Sequence, residues 1–156
     1  MAVIEFKSVG EAATLSKFQS IINEVPIGIK TPLRLGIEND GIFSMHLRLP
    51  DQIQDNFRNL LLTNHGERLG RYNYGANLSE LSYELGKSEF DAEAIRRIRL
   101  AINKFMPFID PRTFESEILT EDVRNGVGQA KMRIIYDVPR LGIANKSIEI
   151  VIFVGG

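Results

Sequence analysis

The spacing of apolar residues changes along this chain, and that change limits the possible folds more than any other feature. Between residues 51 and 106 apolar side chains recur at helical spacing, whereas in the last third they alternate with a period of two. The alternation predicts three strands, around residues 114–118, 130–138 and 148–154, joined by short connections that suit antiparallel neighbours. The sequence therefore predicts an α+β fold in which amphipathic helices pack on a small, mostly antiparallel three-stranded sheet.

One long helix is predicted just before the middle of the chain. Asp51 is its expected N-terminal cap, and Asn64 and Gly66 suit the left-handed conformation that ends a helix. Its apolar stripe is Ile53, Phe57, Leu60 and Leu61.

A second long helix is predicted after a short helical piece, which carries Leu78, Leu81 and Leu85 and closes at Gly86. Ser88 or Asp91 caps the long helix, and Pro107 and Pro111 prevent its continuation. Its stripe is Ile95, Ile98, Ile102 and Phe105, with Arg96, Arg97, Arg99 and Lys104 on the solvent side.

Two regions of the chain are expected. Residues 1–49 form an N-terminal extension with an arm, a helix over residues 11–24 and an extended segment, and residues 50–156 form the main domain. Residues 25–35 combine Pro and Gly breaks with apolar side chains that are too many for a free linker. This segment is therefore predicted to lie against something.

Composition excludes several classes of function. The 156 residues include no cysteine, so disulfides, thiolate nucleophiles and cysteine-ligated zinc are ruled out. The 19 basic and 20 acidic residues give a net charge of −1, so no overall field attracts nucleic acid or an anionic membrane. His46 and His65 lack a second histidine at metal-ligand spacing, and no metal, cofactor or small-molecule ligand is expected. Without an apolar run of ~20 residues or a signal peptide, the chain is expected to be soluble and cytoplasmic.

The last predicted strand carries two different faces. Ile148, Ile150, Ile152 and Val154 occupy one face, and Ser147, Glu149, Val151 and Phe153 occupy the other. The pattern does not decide whether this strand is central or at an edge of the sheet. An edge position would allow a partner to add a strand to it.

Residues 61–78 carry a resemblance to a known family. Leu61-Leu62-Thr63, Gly66-Glu67-Arg68, Tyr74-Gly75 and Leu78 follow one another in the order and spacing of its signature. These residues resemble the gene 25-like baseplate wedge family of contractile-tailed phages, which is related to a baseplate component of type VI secretion systems.

The resemblance implies a structural subunit of the tail baseplate wedge in the virion, made in the host cytoplasm. Six copies would surround the tail tube and join other wedge subunits, partly through the N-terminal region. The C-terminal sheet would carry the first ring of the tail sheath protein. Ser147, Glu149, Val151 and Phe153 are then the expected strand-pairing residues.

The chain departs from the family signature at two places. Tyr72 stands where the family usually has proline, and Met106-Pro107-Phe108 stands where the family has a Glu-Pro-Arg motif that contacts neighbouring wedge subunits. Without those charges the contact would be apolar, with ordinary core packing of Met106 and Phe108 as the alternative. Asp110-Pro111-Arg112 is chemically more similar to the Glu-Pro-Arg motif but is less well aligned with it.

The pair Glu67-Arg68 is assigned to wedge contacts or to local structure rather than catalysis. An adjacent pair at a helix end typically caps or forms an ion pair, and Arg68 can stack on Tyr72 or Tyr74. No enzyme activity is expected. A lysozyme-like peptidoglycan hydrolase, with acids such as Glu80 and Glu84, and a type VI secretion adaptor remain as alternatives.

Overall fold

A computed structural model describes residues 25–36, 41–84, 90–122 and 127–155. The chain divides into two compact units, Met1–Gln52 and Ile53–Gly156. The predicted N-terminal arm and helix, the position of Ser88 and the first strand connection lie outside the described residues. Among the helices that are described, none has the length and apolarity required to cross a lipid bilayer.

The described part of the first unit is an irregular antiparallel hairpin. Strands β1 (Gly28–Ile29) and β2 (Met45–His46) pair directly, and Leu35 forms an isolated bridge with Phe43. Many large apolar side chains of this segment are exposed. They are Val25, Ile27, Ile29, Leu33, Leu35, Ile42, Leu47 and Leu49.

Helix α1 (Leu49–Leu62) begins two residues before the predicted cap. Pro50 is tolerated there because the first turn of a helix needs no backbone donor. Asp51 lies within that turn, where its charge favours the helix N-terminus, so its assignment as the cap was wrong. The predicted stripe is confirmed, since the buried residues are Ile53, Phe57, Leu60 and Leu61.

The second unit continues with a 3-10 helix (Leu78–Glu84) and helix α2 (Phe90–Phe105). The buried residues of α2 are Phe90, Ala94, Ile98, Ala101 and Ile102. Ile95, predicted to lie in the stripe, is only half-buried. The small side chains of Ala94 and Ala101 form the inner face instead, which shifts the stripe around the helix.

The sheet consists of β3 (Asp110–Asp122), β4 (Val127–Val138) and β5 (Ile143–Gly155), in the order β3-β4-β5 and antiparallel throughout. The helices cover one face of it, and the ring of Phe57 meets Tyr136 edge-on at 5.0 Å between centroids. The core side of β4 and β5 is Ala130, Met132, Ile134, Tyr136, Val138, Ile148, Ile150 and Ile152. The predicted α+β fold with three antiparallel strands is confirmed.

Candidate functional site

The connector from Thr63 to Asn77 folds back over the C-terminal end of α1. The Ala76 N–H donates to the Leu60 carbonyl at 3.0 Å, and the Asn77 N–H donates to the Thr63 carbonyl at 3.3 Å. The last carbonyl groups of an α-helix have no partner within the helix. These bonds supply two partners from the far end of the loop, so residues 63–77 form a cap for α1, called here the capping loop.

Gly66 and Glu67 shape the first turn of the capping loop. Gly66 has a φ of 88°, as predicted, and its N–H donates to the Tyr72 carbonyl at 2.8 Å. Asn64, predicted to share the left-handed conformation, instead uses its side chain. Glu67 accepts the backbone N–H and the side-chain amide of Asn64, both at 2.8 Å. These bonds, the backbone one first, lower the pKa of the Glu67 carboxyl.

Arg68 attaches the capping loop to α2 through two aromatic rings. Its guanidinium carbon lies 4.0 Å from the centroid of the Tyr74 ring, and that ring packs on Phe105 with 4.9 Å between centroids. Tyr74 is therefore the stacking partner, while the ring of Tyr72 lies 6.5 Å from that of His65. Glu67 and Arg68 both have structural roles within their own chain.

Asn77 is a buried polar residue that sequence reasoning missed. It is 6% exposed with a φ of 52°, and its side-chain oxygen accepts the His65 N–H at 3.3 Å. Its carbonyl accepts a bond from Arg97 at 2.8 Å. The sequence signal was weak, because asparagine tolerates positive φ but occurs in many solvent-exposed turns.

Arg97 forms a second connection between the capping loop and α2. It pairs with Glu80 at 3.0 Å and with Glu93 at 2.9 Å, so its assignment to the solvent side was incorrect. Arg96 remains exposed and also pairs with Glu93, at 2.6 Å. A cleft of about 730 Å³ lies between the loop and the helix, with the half-exposed Leu100 in its wall.

Glu93 provides a pH test of this connection. Hydrogen bonds from Arg96 and then Arg97 lower the pKa of its carboxyl from 4.5 to about 2. A carboxyl with a lower pKa in the folded state stabilises the fold above its unfolded pKa, and the stabilisation disappears as the pH falls through the folded pKa. We expect Glu93→Gln to flatten the fall in the free energy of unfolding between pH 4.5 and about 2, measured by urea titration. Glu117→Gln, on an exposed part of β3, is the matched control, and equal slopes in both variants would contradict the expectation.

The residues after α2 are divided between core and surface. Met106 is 6% exposed and belongs to the core, which is the alternative that the sequence left open for it. Pro107 is exposed, and Phe108 is half-buried against the core. The turn closes with a bond from the Ile109 N–H to the Met106 carbonyl at 3.0 Å. A partner at this bend would therefore contact Pro107 and part of Phe108, whereas Met106 would remain buried in the core.

Strand β5 lies at an edge of the sheet. It pairs with β4 on one side, and no backbone hydrogen bond joins its other side to any residue that the structure describes. The central position, the alternative for this strand, is held by β4. Ser147 and Glu149 are exposed and Val151 is half-buried, whereas the side chain of Phe153 lies outside the description.

The opposite edge, β3, is less regular than β5. Pro111 lies within β3, and the pairing with β4 shifts register between Pro111 and Thr113 and again between Ile118 and Thr120. Proline and bulges are common devices that keep an edge strand from pairing. By contrast, β5 follows β4 without interruption from Gly155 to Lys146. Of the two edges, β5 offers the longer uninterrupted template.

The face of the sheet opposite the helices carries ion pairs. Glu149 of β5 lies 2.9 Å from Lys131 and 3.8 Å from Arg133, and Arg133 lies 3.9 Å from Glu115 of β3. Lys131 lowers the pKa of the Glu149 carboxyl, chiefly by its hydrogen bond. Such exposed pairs contribute about 0–1 kcal/mol each, so they define the solvent side of the sheet rather than stabilise it strongly.

The segment Asp110-Pro111-Arg112, which resembles the family's Glu-Pro-Arg motif, forms the start of β3. Arg112 pairs with Asp137 at 2.8 Å and with Asp110 at 3.3 Å. Asp137 also accepts the N–H of Asn145, near the start of β5, at 2.8 Å. The charges of Asp110-Pro111-Arg112 are therefore engaged within the chain.

The described residues contain no group of three or more side chains with metal-ligand chemistry. His46 is buried in the first unit, and His65 is exposed in the second. The described part of the second unit thus contains helix α1 with its capping loop and helix α2, packed on a sheet that has β5 at one edge.

Comparisons with known proteins place this arrangement in a family. The family model described as baseplate wedge protein gp25 matches residues 47–140. No curated protein sequence matches the chain. Among solved structures, the anti-feeding prophage baseplate, determined by cryo-electron microscopy with six-fold symmetry, contains a chain with 16% identity and a TM-score of 0.53, covering 85% of this chain and 88% of its own. A Geobacter sulfurreducens protein with the provisional name of tail lysozyme has 17% identity and a TM-score of 0.51, covering 69% of this chain and 91% of its own.

The family match spans more than half of the chain and includes α1, the capping loop, α2 and most of the sheet. The chain belongs to the baseplate wedge protein gp25 family, as its signature residues indicated. It is thus a baseplate subunit of the phage-tail or type VI secretion kind, and the two structural likenesses establish the same fold.

Proposed function

We propose that this protein is a non-catalytic structural subunit of a contractile phage tail baseplate wedge, and that its sheet is the template for the first ring of sheath subunits. The observation that supports this most directly is the outer edge of β5, to which no described residue donates or from which none accepts a backbone hydrogen bond. Unpaired backbone groups along an edge strand accept another strand readily, and added strands gain affinity from main-chain hydrogen bonds.

The difference between the two edges favours β5 as the acceptor. Proline and two register shifts interrupt β3, whereas β5 pairs with β4 without a shift from Lys146 to Gly155, and its one register shift lies at the end next to the β4–β5 turn. An added strand needs an acceptor whose unpaired groups repeat evenly, because each bulge moves the following donors and acceptors out of register.

The first unit and the bend after α2 are proposed to bind other wedge subunits. Exposed apolar side chains cluster along the hairpin of residues 25–49. Isolated exposed apolar residues are common on protein surfaces, whereas a cluster of them marks an interaction site. In the second unit, Glu67, Arg68 and Met106 would support the fold around the bend after α2, and Pro107 and Phe108 would supply the contact. This assigns residues 1–49 to subunit contacts and residues 50–156 to the wedge domain.

The structural neighbour in a six-fold baseplate fits a count of six copies around the tail tube. The protein would then be made in the host cytoplasm and located in the tail baseplate of the virion. A type VI secretion baseplate would use the same surfaces, and electron microscopy of particles from the source strain distinguishes a free tail from a cell-anchored machine.

Peptidoglycan hydrolysis is the alternative that the name of the Geobacter protein raises. A glycosidase needs one carboxyl with a raised pKa across a cleft from a second acid. In Glu67, Glu80 and Glu93 the pKa values are lowered by hydrogen bonds, which is the wrong direction for a general acid. We expect no clearing of a cell-wall suspension by the purified protein. Clearing that is lost in Glu67→Gln or Glu80→Gln would replace the present proposal.

Co-assembly tests the structural role. The full chain is co-expressed with the wedge and sheath proteins of its own genome and purified through a tag on one wedge partner. We expect the chain to co-purify and the sheath protein to polymerise only when the chain is present. A wedge complex that forms and starts a sheath without this chain would overturn the proposal.

A further inference from the structure

A groove of about 380 Å³ lies between the end of α1 and the edge of β5. Arg58 and Leu62 of α1 line one side, and four consecutive residues of β5, Glu149 to Ile152, line the other. Successive strand residues point to opposite faces. A groove that touches four of them in a row therefore follows the backbone edge, and it is called here the β5 groove.

Two side chains on the α1 side of the β5 groove have no partner among the residues that the structure describes. Leu62 is 51% exposed, although its neighbour Leu61 is buried. Arg58 is half-buried, and none of the acidic residues that the structure describes forms an ion pair with it. A partly desolvated guanidinium binds a carboxylate more strongly than a fully exposed one does, through paired hydrogen bonds.

The spacing of these two side chains matches that of a strand. Residues four apart on a helix are separated by about 6 Å along its axis, and residues two apart on a strand by about 6.6 Å. A strand that runs along α1 in the groove would therefore present two side chains of the same face to Leu62 and Arg58 together.

We infer that the β5 groove selects the incoming strand by its side chains: an apolar residue against Leu62 and, two positions away, an aspartate or glutamate against Arg58. The inference rests on the proposed pairing of a sheath strand with β5 and specifies the chemistry of that strand. Main-chain hydrogen bonds to β5 give affinity in any register of the added strand. The side chains of the groove then determine which residues of the partner lie opposite Leu62 and Arg58.

The experiment measures binding of the purified sheath protein of the same genome to the full chain, for the variants Arg58→Glu and Leu62→Ser. Arg140→Glu and Leu141→Ser are the matched controls, because both residues are exposed and lie at the β4–β5 turn, outside the groove. Urea titration of each variant shows whether its fold is intact. We expect a loss of at least tenfold in affinity for the two groove variants and less than twofold for the controls. Replacing the partner's acidic residue by lysine is expected to restore binding to Arg58→Glu.

The outcomes separate the two proposals when Val151→Lys is included as an edge variant. If Val151→Lys abolishes binding while both groove variants bind as the wild type does, strand pairing stands and the inference about the groove is wrong. If all three bind as the wild type does, the proposed pairing with β5 fails as well. If the control variants lose as much affinity as the groove variants, general charge or apolar area accounts for binding and the groove has no selective role.

Discussion

Replacing Gly75 by alanine is expected to cost at least ~3 kcal/mol of folding free energy, because two penalties add at this position. The residue has a φ of 111°, which is accessible almost exclusively to glycine. A Cβ built on it would also collide with the Thr63 carbonyl, the group that accepts the bond from Asn77. The substitution would therefore open the capping loop and release the end of α1. A fall in the thermal midpoint of roughly 6–12 °C is expected by calorimetry.

Gly70→Ala separates the two penalties. Gly70 also has a positive φ, of 76°, but no atom lies within 4 Å of an added Cβ. Its replacement is expected to cost only the conformational penalty of about 1–2 kcal/mol. Equal losses in the two variants would mean that the contact between Gly75 and Thr63 does not hold the loop on the helix.

This contact also explains part of the family signature in physical terms. The Thr63 carbonyl accepts the Asn77 N–H, and Gly66 adopts the positive φ of the first turn of the loop. The Glu67 carboxylate accepts the Asn64 N–H, and Gly75, which has no Cβ, leaves room for the Thr63 carbonyl. Each residue has a role in capping α1, so the pattern is recognisable because a single local structure requires all of it. The pattern alone does not indicate catalysis.

Elements that depend on local spacing could be predicted from the sequence. The stripe of α1 and the two faces of β5 follow from periods of 3.6 and 2, and both agree with the observed burial. The end of α2 follows from Pro107. The helix start at Leu49 was missed, because Pro50 is as compatible with the first turn of a helix as with a position before it. The half-burial of Ile95 was missed, because Ala94 and Ala101, which form the inner face, carry little apolar signal.

Features that depend on distant residues could not be predicted. Whether β5 is central or at an edge depends on which strands pair, and the alternation of its side chains is the same in both cases. Asn77 and Arg97 lie 20 positions apart and meet only because the capping loop returns to α2. The groove beside Arg58 and Leu62 exists only once β5 is in place, so the spacing of residues along α1 could not indicate it.

Replacing Val151 by lysine is expected to abolish sheath initiation while the subunit stays folded. Val151 is half-buried on the ion-paired face of β5 and lies opposite Lys131 in the register with β4. Lysine there costs about 0.2–1 kcal/mol by repulsion from Lys131, a small fraction of a typical domain's stability. On the open edge, however, a lysine must lose water before another strand can pair, and it is a common natural device against such pairing.

The matched control lies on the other edge of the same face. Thr113 is exposed on β3 and pairs with Ile135, so Thr113→Lys adds the same charge to the edge that proline and bulges already interrupt. Val151→Thr keeps the branched shape at the β5 position. We expect at least a tenfold loss of sheath polymerisation on wedge complexes for Val151→Lys alone, followed by sedimentation and electron microscopy. A similar loss in Thr113→Lys would mean that the first sheath strand adds at β3 or that net charge governs the contact. A large fall in the urea midpoint of Val151→Lys would instead show that this side chain belongs to the folding core rather than to the assembly edge.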